Sequence, residues 1–387
     1  MSDYLLMIYP ALITIILLFG GRISKKGEFN TDSWSISQSK AMQVFAALMI
    51  ILHHVVQSVT GYGGVKKGLI TEWNSFGILF TSIFFFFSGF GLYKSYKNKD
   101  NYLDGFLKKR LLKVILPFVF TNIIYILVLS KDVINDPKLL FTSIFGYPLV
   151  NINAWFMIVI IILYIAFYMC FKTSKSDNAA ILKLTVFTCA LVAYSLTLGH
   201  SNIKGHWFTG EWWYNTTLIF IIGFLWAKHE EVLKALLKKI YAVLFPALII
   251  IFYIWYGYTG YILGRYGYYR EWEGHPGYRE KFISLVAQMV LCMLYVMIML
   301  LLNIKIEYKN KALGFLGKMT YEIYLIHELF RELLLKGIGG KMLNDMTYIA
   351  LVYIFSIISA WVICLLYKFL KNLKNRVIEK YNKNNYY

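Results

Sequence analysis

Acidic residues are scarce in this chain. Asp and Glu number 21 against 40 Lys and Arg, and all charged residues together make up only 16% of the 387 positions. Soluble domains carry about 25%, so a soluble fold with a polar surface all round is excluded. There are six prolines and no low-complexity stretch, so no linker divides the chain. No internal repeat is evident, and nothing outside the apolar runs is long enough to fold by itself. The four cysteines, Cys170, Cys189, Cys292 and Cys364, lie in or at the ends of apolar runs. Their spacing makes neither a metal site nor a disulfide framework, and they read as small core hydrophobes. The amino terminus lacks a basic leader, carries Asp3, and is followed by Arg22, Lys25 and Lys26. That flank describes a retained helix rather than a removable signal.

What is present is hydrocarbon. Hydrophobic residues make up 58% and aromatics 18%. They come in blocks near the ~20 residues needed to cross a ~30 Å hydrocarbon layer. Segments such as 153–171 and 347–367 are apolar all round, without the polar back face of a soluble helix. The pattern predicts an all-α, polytopic integral membrane bundle. Its eleven spans are 4–20, 41–60, 76–93, 113–129, 153–171, 183–199, 212–228, 241–262, 282–303, 317–335 and 347–367. Two are marginal: 212–228 is short, and 317–335 carries Glu322, His327, Glu328 and Arg331.

The net charge of +19 resembles a nucleic-acid signal until it is placed on this topology. With the amino terminus outside, 28 of the 40 Lys and Arg fall on the cytoplasmic face and 12 on the other. That is the positive-inside distribution. It predicts basic loops against anionic lipid rather than a nucleic-acid partner, with the carboxy terminus cytoplasmic.

Ionisable groups at membrane depth cost about 2.5–3.5 kcal/mol on insertion scales and mark candidate sites. The second span carries Lys40, Gln43, His53, His54, Gln57 and Ser58. Gln43 and His54 are eleven residues apart, so they share a face and are separated by roughly 16 Å. His53 points about 100° away. A lone intramembrane histidine serves either as a hydrogen-bonding bridge between helices or as a proton acceptor near neutral pH.

Ala46-Ala47-Leu48-Met49-Ile50-Ile51-Leu52-His53-His54 resembles the first core helix of the bacterial membrane acyltransferase family three. Phe84 to Leu92 is similar to that family's aromatic run ending in Ser-Gly-Phe, here Ser88-Gly89-Phe90. Phe106 to Pro117, with Arg110 and Lys113, is similar to its basic cytoplasmic motif. Asn153-Ala154-Trp155-Phe156 resembles its Trp-Phe helix start. Leu316 to His327 resembles its late Gly-Lys-x-Ser-Tyr-x-x-Tyr-Leu-x-His motif. The resemblance covers about 38–367. It sets apart an extra helix and basic loop at 1–37 and a basic tail at 368–387, leaving a ten-helix core. There are two departures. Gln43 stands where the family usually has an arginine or lysine, and Lys113 stands where its second motif arginine would be.

The resemblance implies a bacterial cytoplasmic-membrane O-acyltransferase. It would move an acyl group, acetyl first, from acyl-CoA to a hydroxyl of a cell-surface glycan or lipid-linked sugar, with acetyl-CoA as co-substrate and no permanently bound cofactor or metal. His54 would be the general base, with His53 beside it and Glu322 as an electrostatic partner. Arg110, Lys113, Lys40 and Gln43 would hold the donor. Trp155 and His327 match family motif positions and are candidates for substrate contact. Two aromatic outer loops, 200–214 with His206, Trp207, Trp212 and Trp213, and 263–281 with Tyr269 and Trp272, suit either a carbohydrate or the interfacial aromatic belt. Competing readings are a glycan transporter or flippase, which would show repeats or interrupted helices, and a non-catalytic protein on the same scaffold.

Overall fold

An apolar block in hydrocarbon must satisfy its own backbone, which leaves the helix as the solution for a single segment. The computed structural model describes residues 2–198, 212–267, 271 and 274–384. All eleven expected spans contain a helix: α1 (Ile8–Leu18), α2 (Ile36–Val59), α3 (Gly77–Asn98), α4 (Phe106–Val128), α5 (Trp155–Lys172), α6 (Asp177–Leu196), α7 (Ile219–Lys228), α8 (Glu230–Tyr266), α9 (Tyr278–Lys305), α10 (Thr320–Leu335) and α11 (Asp345–Asn384). Eight are long and apolar enough to cross a membrane. The other three, α1, α7 and α10, are shorter.

Two of the expected spans are interrupted, which the sequence did not reveal. The 212–228 segment breaks into Trp212–Asn215 and α7, and the 317–335 segment begins only at Thr320, after a short helix, Lys311–Leu316. Ten residues of helix rise ~15 Å, about half the hydrocarbon layer, so α7 cannot span alone. The freed backbone at these breaks is enclosed by protein, as Asn215, Thr216 and Thr217 are all buried.

The helices alternate in direction, and contacts at each end confirm the register. At the basic end, Arg22–Ile23 pairs antiparallel with Ile306–Glu307, joining the ends of α1 and α9. Lys97 reaches Asp177 at 3.0 Å, and Lys94 reaches Glu230 at 2.6 Å. A buried network ties the start of α2 to α9: Gln38 accepts from Asn303 Nδ2 at 2.7 Å, and Asn30 Nδ2 donates to the Asn303 carbonyl at 2.9 Å. At the opposite end, Lys67 pairs with Asp345, and Tyr256 donates to Glu72 at 3.1 Å.

α2 forms the centre of the bundle. It packs against α1, α3, α10 and α11, and Met42, Ala46, Ile51, Leu52, Val55 and Val56 are fully enclosed. α8 is peripheral and turns Ile250, Tyr253 and Ile254 outward, where they meet lipid. A close helix crossing joins α3 and α7. A Cβ on Gly89 would overlap the Phe220 carbonyl, and one on Gly223 would overlap that of Phe86. Small residues let membrane helices approach this closely, which explains the glycine that ends the aromatic run.

Candidate functional site

The site is built on the outer half of α2 and the middle of α10. His54 Nδ1 lies 2.8 Å from His327 Nε2. His327 Nδ1 lies 2.6 Å from the Tyr324 carbonyl oxygen. A carbonyl only accepts, so His327 Nδ1 carries a hydrogen and donates it. In the neutral ring Nε2 is then the acceptor. His54 Nδ1–H therefore donates to His327, and the lone pair of His54 stands on Nε2. A backbone carbonyl thus fixes the tautomers of both rings.

Beside the pair is a buried ion cluster. Glu328 Oε1 accepts from Arg331 Nε at 2.8 Å, and Arg331 Nη1 donates to Ser58 at 2.6 Å; Arg331 also pairs with Glu332. Glu328 Oε2 is buried without a hydrogen-bond partner among the described residues. It lies 3.9 Å from His54 Nδ1 and 4.0 Å from His327 Nε2. Arginine holds one carboxylate oxygen and leaves the other facing the histidines. The Tyr125 hydroxyl, on α4, is also buried without a partner.

His54, His327 and Glu328 form one group of potential metal ligands among the described residues, with ligand atoms within 4.8 Å of one another. The ring geometry speaks for a hydrogen bond instead. The imidazole centroids are 5.1 Å apart and the planes differ by 13°. That centroid separation is the N···N distance plus one ring radius at each end, so the two nitrogens meet in line. A shared ion would sit to one side of that line, and both rings would have to rotate to aim at it.

Below the pair is a cavity of about 440 Å³. Lys40, Lys113, Lys318 and Gly317 border its basic end, and Ile50 and Tyr324 its inner end. Ile50 is one turn below His54 on α2, and Tyr324 one turn below His327 on α10. From Lys40 to Ile50 the helix rises about 15 Å. Phe84, Phe156, Met157 and Ile160 give the passage apolar walls. The amino terminus of α10 at Thr320 opens into the mouth, where the positive end of the helix dipole favours an anion. α10 is fixed against its neighbours: Tyr321 donates to the Val114 carbonyl at 2.6 Å, and Asn151 Nδ2 to the Leu325 carbonyl at 3.1 Å.

The residues singled out in the sequence divide between these places. His54 and His327 meet each other. His53 turns away, with Nδ1 donating to the Trp73 carbonyl at 2.8 Å and its ring filling the space a side chain at Gly77 would need. Lys40, Gln43 and Lys113 line the cavity. Arg110 stands outside it, with Nε and Nη2 donating to the Tyr102 hydroxyl at 3.2 and 3.0 Å. Glu322 lines the cavity and bonds Cys364; the carboxylate beside His54 is that of Glu328. Trp155 packs among Phe85, Phe156 and Trp213. Tyr269 and Trp272 lie outside the described residues. Glu328, Arg331 and Ser58 were not assigned roles from the sequence. The available signal was charge at membrane depth in 317–335, which had marked that span only as marginal.

Comparison with known proteins adds to this geometry. No curated protein and no solved structure matches the chain. A family model described as an acyltransferase domain matches residues 37–367. That range begins at the foot of α2, leaves α1 outside, and contains the histidine pair, the ion cluster and the cavity. The chain therefore belongs to acyltransferase family 3 and is a multi-pass membrane acyltransferase.

Proposed function

We propose that this acyltransferase takes its acyl group, acetyl in the first instance, from cytoplasmic acyl-CoA and delivers it to a hydroxyl of an extracytoplasmic or lipid-linked carbohydrate. One observation carries this reading: the cavity runs from a lysine-rimmed mouth at the basic end to a point one turn below the histidine pair. The positive-inside rule puts that end in the cytoplasm. Three lysines and the α10 amino terminus suit the phosphates of CoA. The apolar passage suits the thin pantetheine arm, which would bring the thioester under His54.

In this reading, His54 Nε2 removes the proton of the acceptor hydroxyl as its oxygen attacks the thioester carbonyl carbon. The carbon–sulfur bond breaks, and His54 returns the proton to the departing sulfur. The products are an ester and free CoA. While His54 holds the proton, its Nδ1–H bond to His327 strengthens, and the free oxygen of Glu328 faces the positive charge from about 4 Å. An oriented histidine with a carboxylate behind it is the usual arrangement for general-base assistance. Gln43 leaves Lys40 as the cation on the α2 side of the mouth.

Mass spectrometry of surface glycans from cells with and without the protein tests the proposal. The expected result is an acyl mass difference that is absent on deletion and stays absent with His54→Ala. Identical spectra in all three strains would refute it, and movement of unmodified glycan across vesicles would favour transport.

A further inference from the structure

The long cavity is too short for a whole CoA molecule. Its ~15 Å from Lys40 to Ile50 accommodates the pantetheine arm, so on the donor reading above the nucleotide must rest on the basic surface outside the mouth. The structure has a second recess there, about 350 Å³, in the turn that follows α3. Tyr96 and Tyr102 line it together with Lys97, Lys99 and Asn101.

We propose that this recess holds the nucleotide end of the donor, a 3′-phosphorylated adenosine diphosphate, with Lys99 facing the 3′-phosphate and Arg110 sharing the diphosphate with the lysines of the mouth. The inference rests on the acyl-CoA reading and adds a subsite to it.

Three features carry it. First, Arg110 joins the two spaces. It donates twice to the hydroxyl of Tyr102, a residue that borders the recess, and lies one turn along α4 from Phe106, whose ring meets that of Tyr164 in the cavity wall at 6.3 Å between centroids. Lys113, one turn further along α4, lines the cavity itself. A diphosphate passing Arg110 would have its nucleoside in the recess and its pantetheine in the cavity. Second, the tyrosine rings are braced before any ligand arrives. Tyr96 meets Phe171 edge-on at 4.8 Å between centroids, and Tyr102 meets Phe106 at 5.4 Å. Aromatic side chains braced in this way suit a purine, because packing against them then costs little further ordering. The turn itself is bent by Asn101 in the left-handed region, at φ 49°, a conformation asparagine tolerates better than most residues.

Third, the cations are unequally engaged. Lys97 is held by Asp177 at 3.0 Å, and Lys109 reaches back to the Asp104 carbonyl at 3.4 Å. Lys99 is exposed and has no partner among the described residues. A flexible, unpaired lysine beside two braced rings is available to a terminal phosphate. Asp104 borders the same recess, which favours a ligand that offers a ribose hydroxyl, here the 2′-OH, as well as phosphate.

The test is calorimetric binding of CoA and of 3′-dephospho-CoA to the full-length protein in nanodiscs, with Lys99→Gln as the variant. The substitution is on the surface and leaves the bundle intact. Wild-type protein is expected to bind CoA about fivefold more tightly than 3′-dephospho-CoA, the upper end of what one solvent-exposed ion pair supplies. Lys99→Gln should remove that difference while leaving 3′-dephospho-CoA binding unchanged. Equal binding of both ligands by the wild type, or a preference that survives the substitution, overturns the subsite and leaves the donor reading standing. Wild-type protein that binds neither ligand overturns both.

Discussion

Replacing His327 by alanine should disable His54 without touching it. His327 Nε2 is the acceptor that holds the proton of His54 on Nδ1, at 2.8 Å, and among the described residues no other acceptor lies within hydrogen-bonding distance: Glu328 Oε2 is 3.9 Å away. Without His327, an unpaired N–H in a site where only 12% of the His54 side chain is exposed would cost about 1–3 kcal/mol. The ring can avoid that cost by turning or by moving its hydrogen to Nε2, and either change removes the base. A histidine left in the wrong tautomer can lose about 10⁴ in rate, and general-base assistance is worth roughly 10²–10⁴. His54→Ala is therefore expected to lower kcat by about 10²–10⁴, and His327→Ala to fall within the same range. The double variant should be no slower than His54→Ala, because residues acting as one unit are not additive. Gln at 327 offers an acceptor oxygen, so His327→Gln should recover part of the loss. The assay is single-turnover acyl transfer by purified protein in nanodiscs, with a thermal melt to establish folding. A folded His327→Ala with wild-type kcat, or a double variant whose losses multiply, would refute the coupled pair.

Glu328→Gln keeps the size of the side chain but removes the charge facing the histidines. Opposite charges at 4 Å interact by at most about 4 kcal/mol at an effective dielectric near 20, and Arg331 offsets part of that. The expected result is a fall in kcat of roughly tenfold or more with donor KM unchanged; a change confined to KM would assign Glu328 to binding. Lys40→Ala should raise donor KM, and Gln43→Lys in that background should restore it by returning a cation to the same helix face; failure of the rescue would remove Lys40 from the donor mouth. Gly89→Ala forces a Cβ against the Phe220 carbonyl. Overpacking of this kind costs about 1–3 kcal/mol, which a lower melting temperature would report, and an unchanged melt would mean the α3–α7 crossing relaxes freely.

Much of the fold was legible because membrane insertion writes itself into local composition. Runs such as 153–171 and 347–367 have no polar face, so each specifies a helix before any neighbour is considered, and α5 and α11 follow. The breaks were less visible. Residues 216–218 look apolar or neutral in the chain, and the turn they form is enclosed by protein. The site was half legible. His54 and His327 stand out as ionisable groups in apolar spans, yet 273 positions separate them and no periodicity pairs them. The sequence favours Glu322 as the carboxylate partner of His54, with Glu328 further along the same helix. They are six residues apart, about 600° of helical rotation and so roughly 120° apart on the face, with ~9 Å of rise between them. Only the docking of α10 against α2 decides that Glu328 faces the histidines while Glu322 faces the cavity.

By itself, then, the scarcity of charge in this sequence determined that the chain lives in a membrane, and the clustering of its lysines and arginines determined which end of the bundle is basic. Both are properties of segments against solvent, and a segment carries them alone. The tertiary structure decided which buried polar groups meet. It aligned His54 with His327, used the Tyr324 carbonyl to set their tautomers, left one oxygen of Glu328 free, and opened a passage from Lys40 to the turn beneath them. Those are relations between helices distant in sequence, and their geometry exists only once the helices have packed.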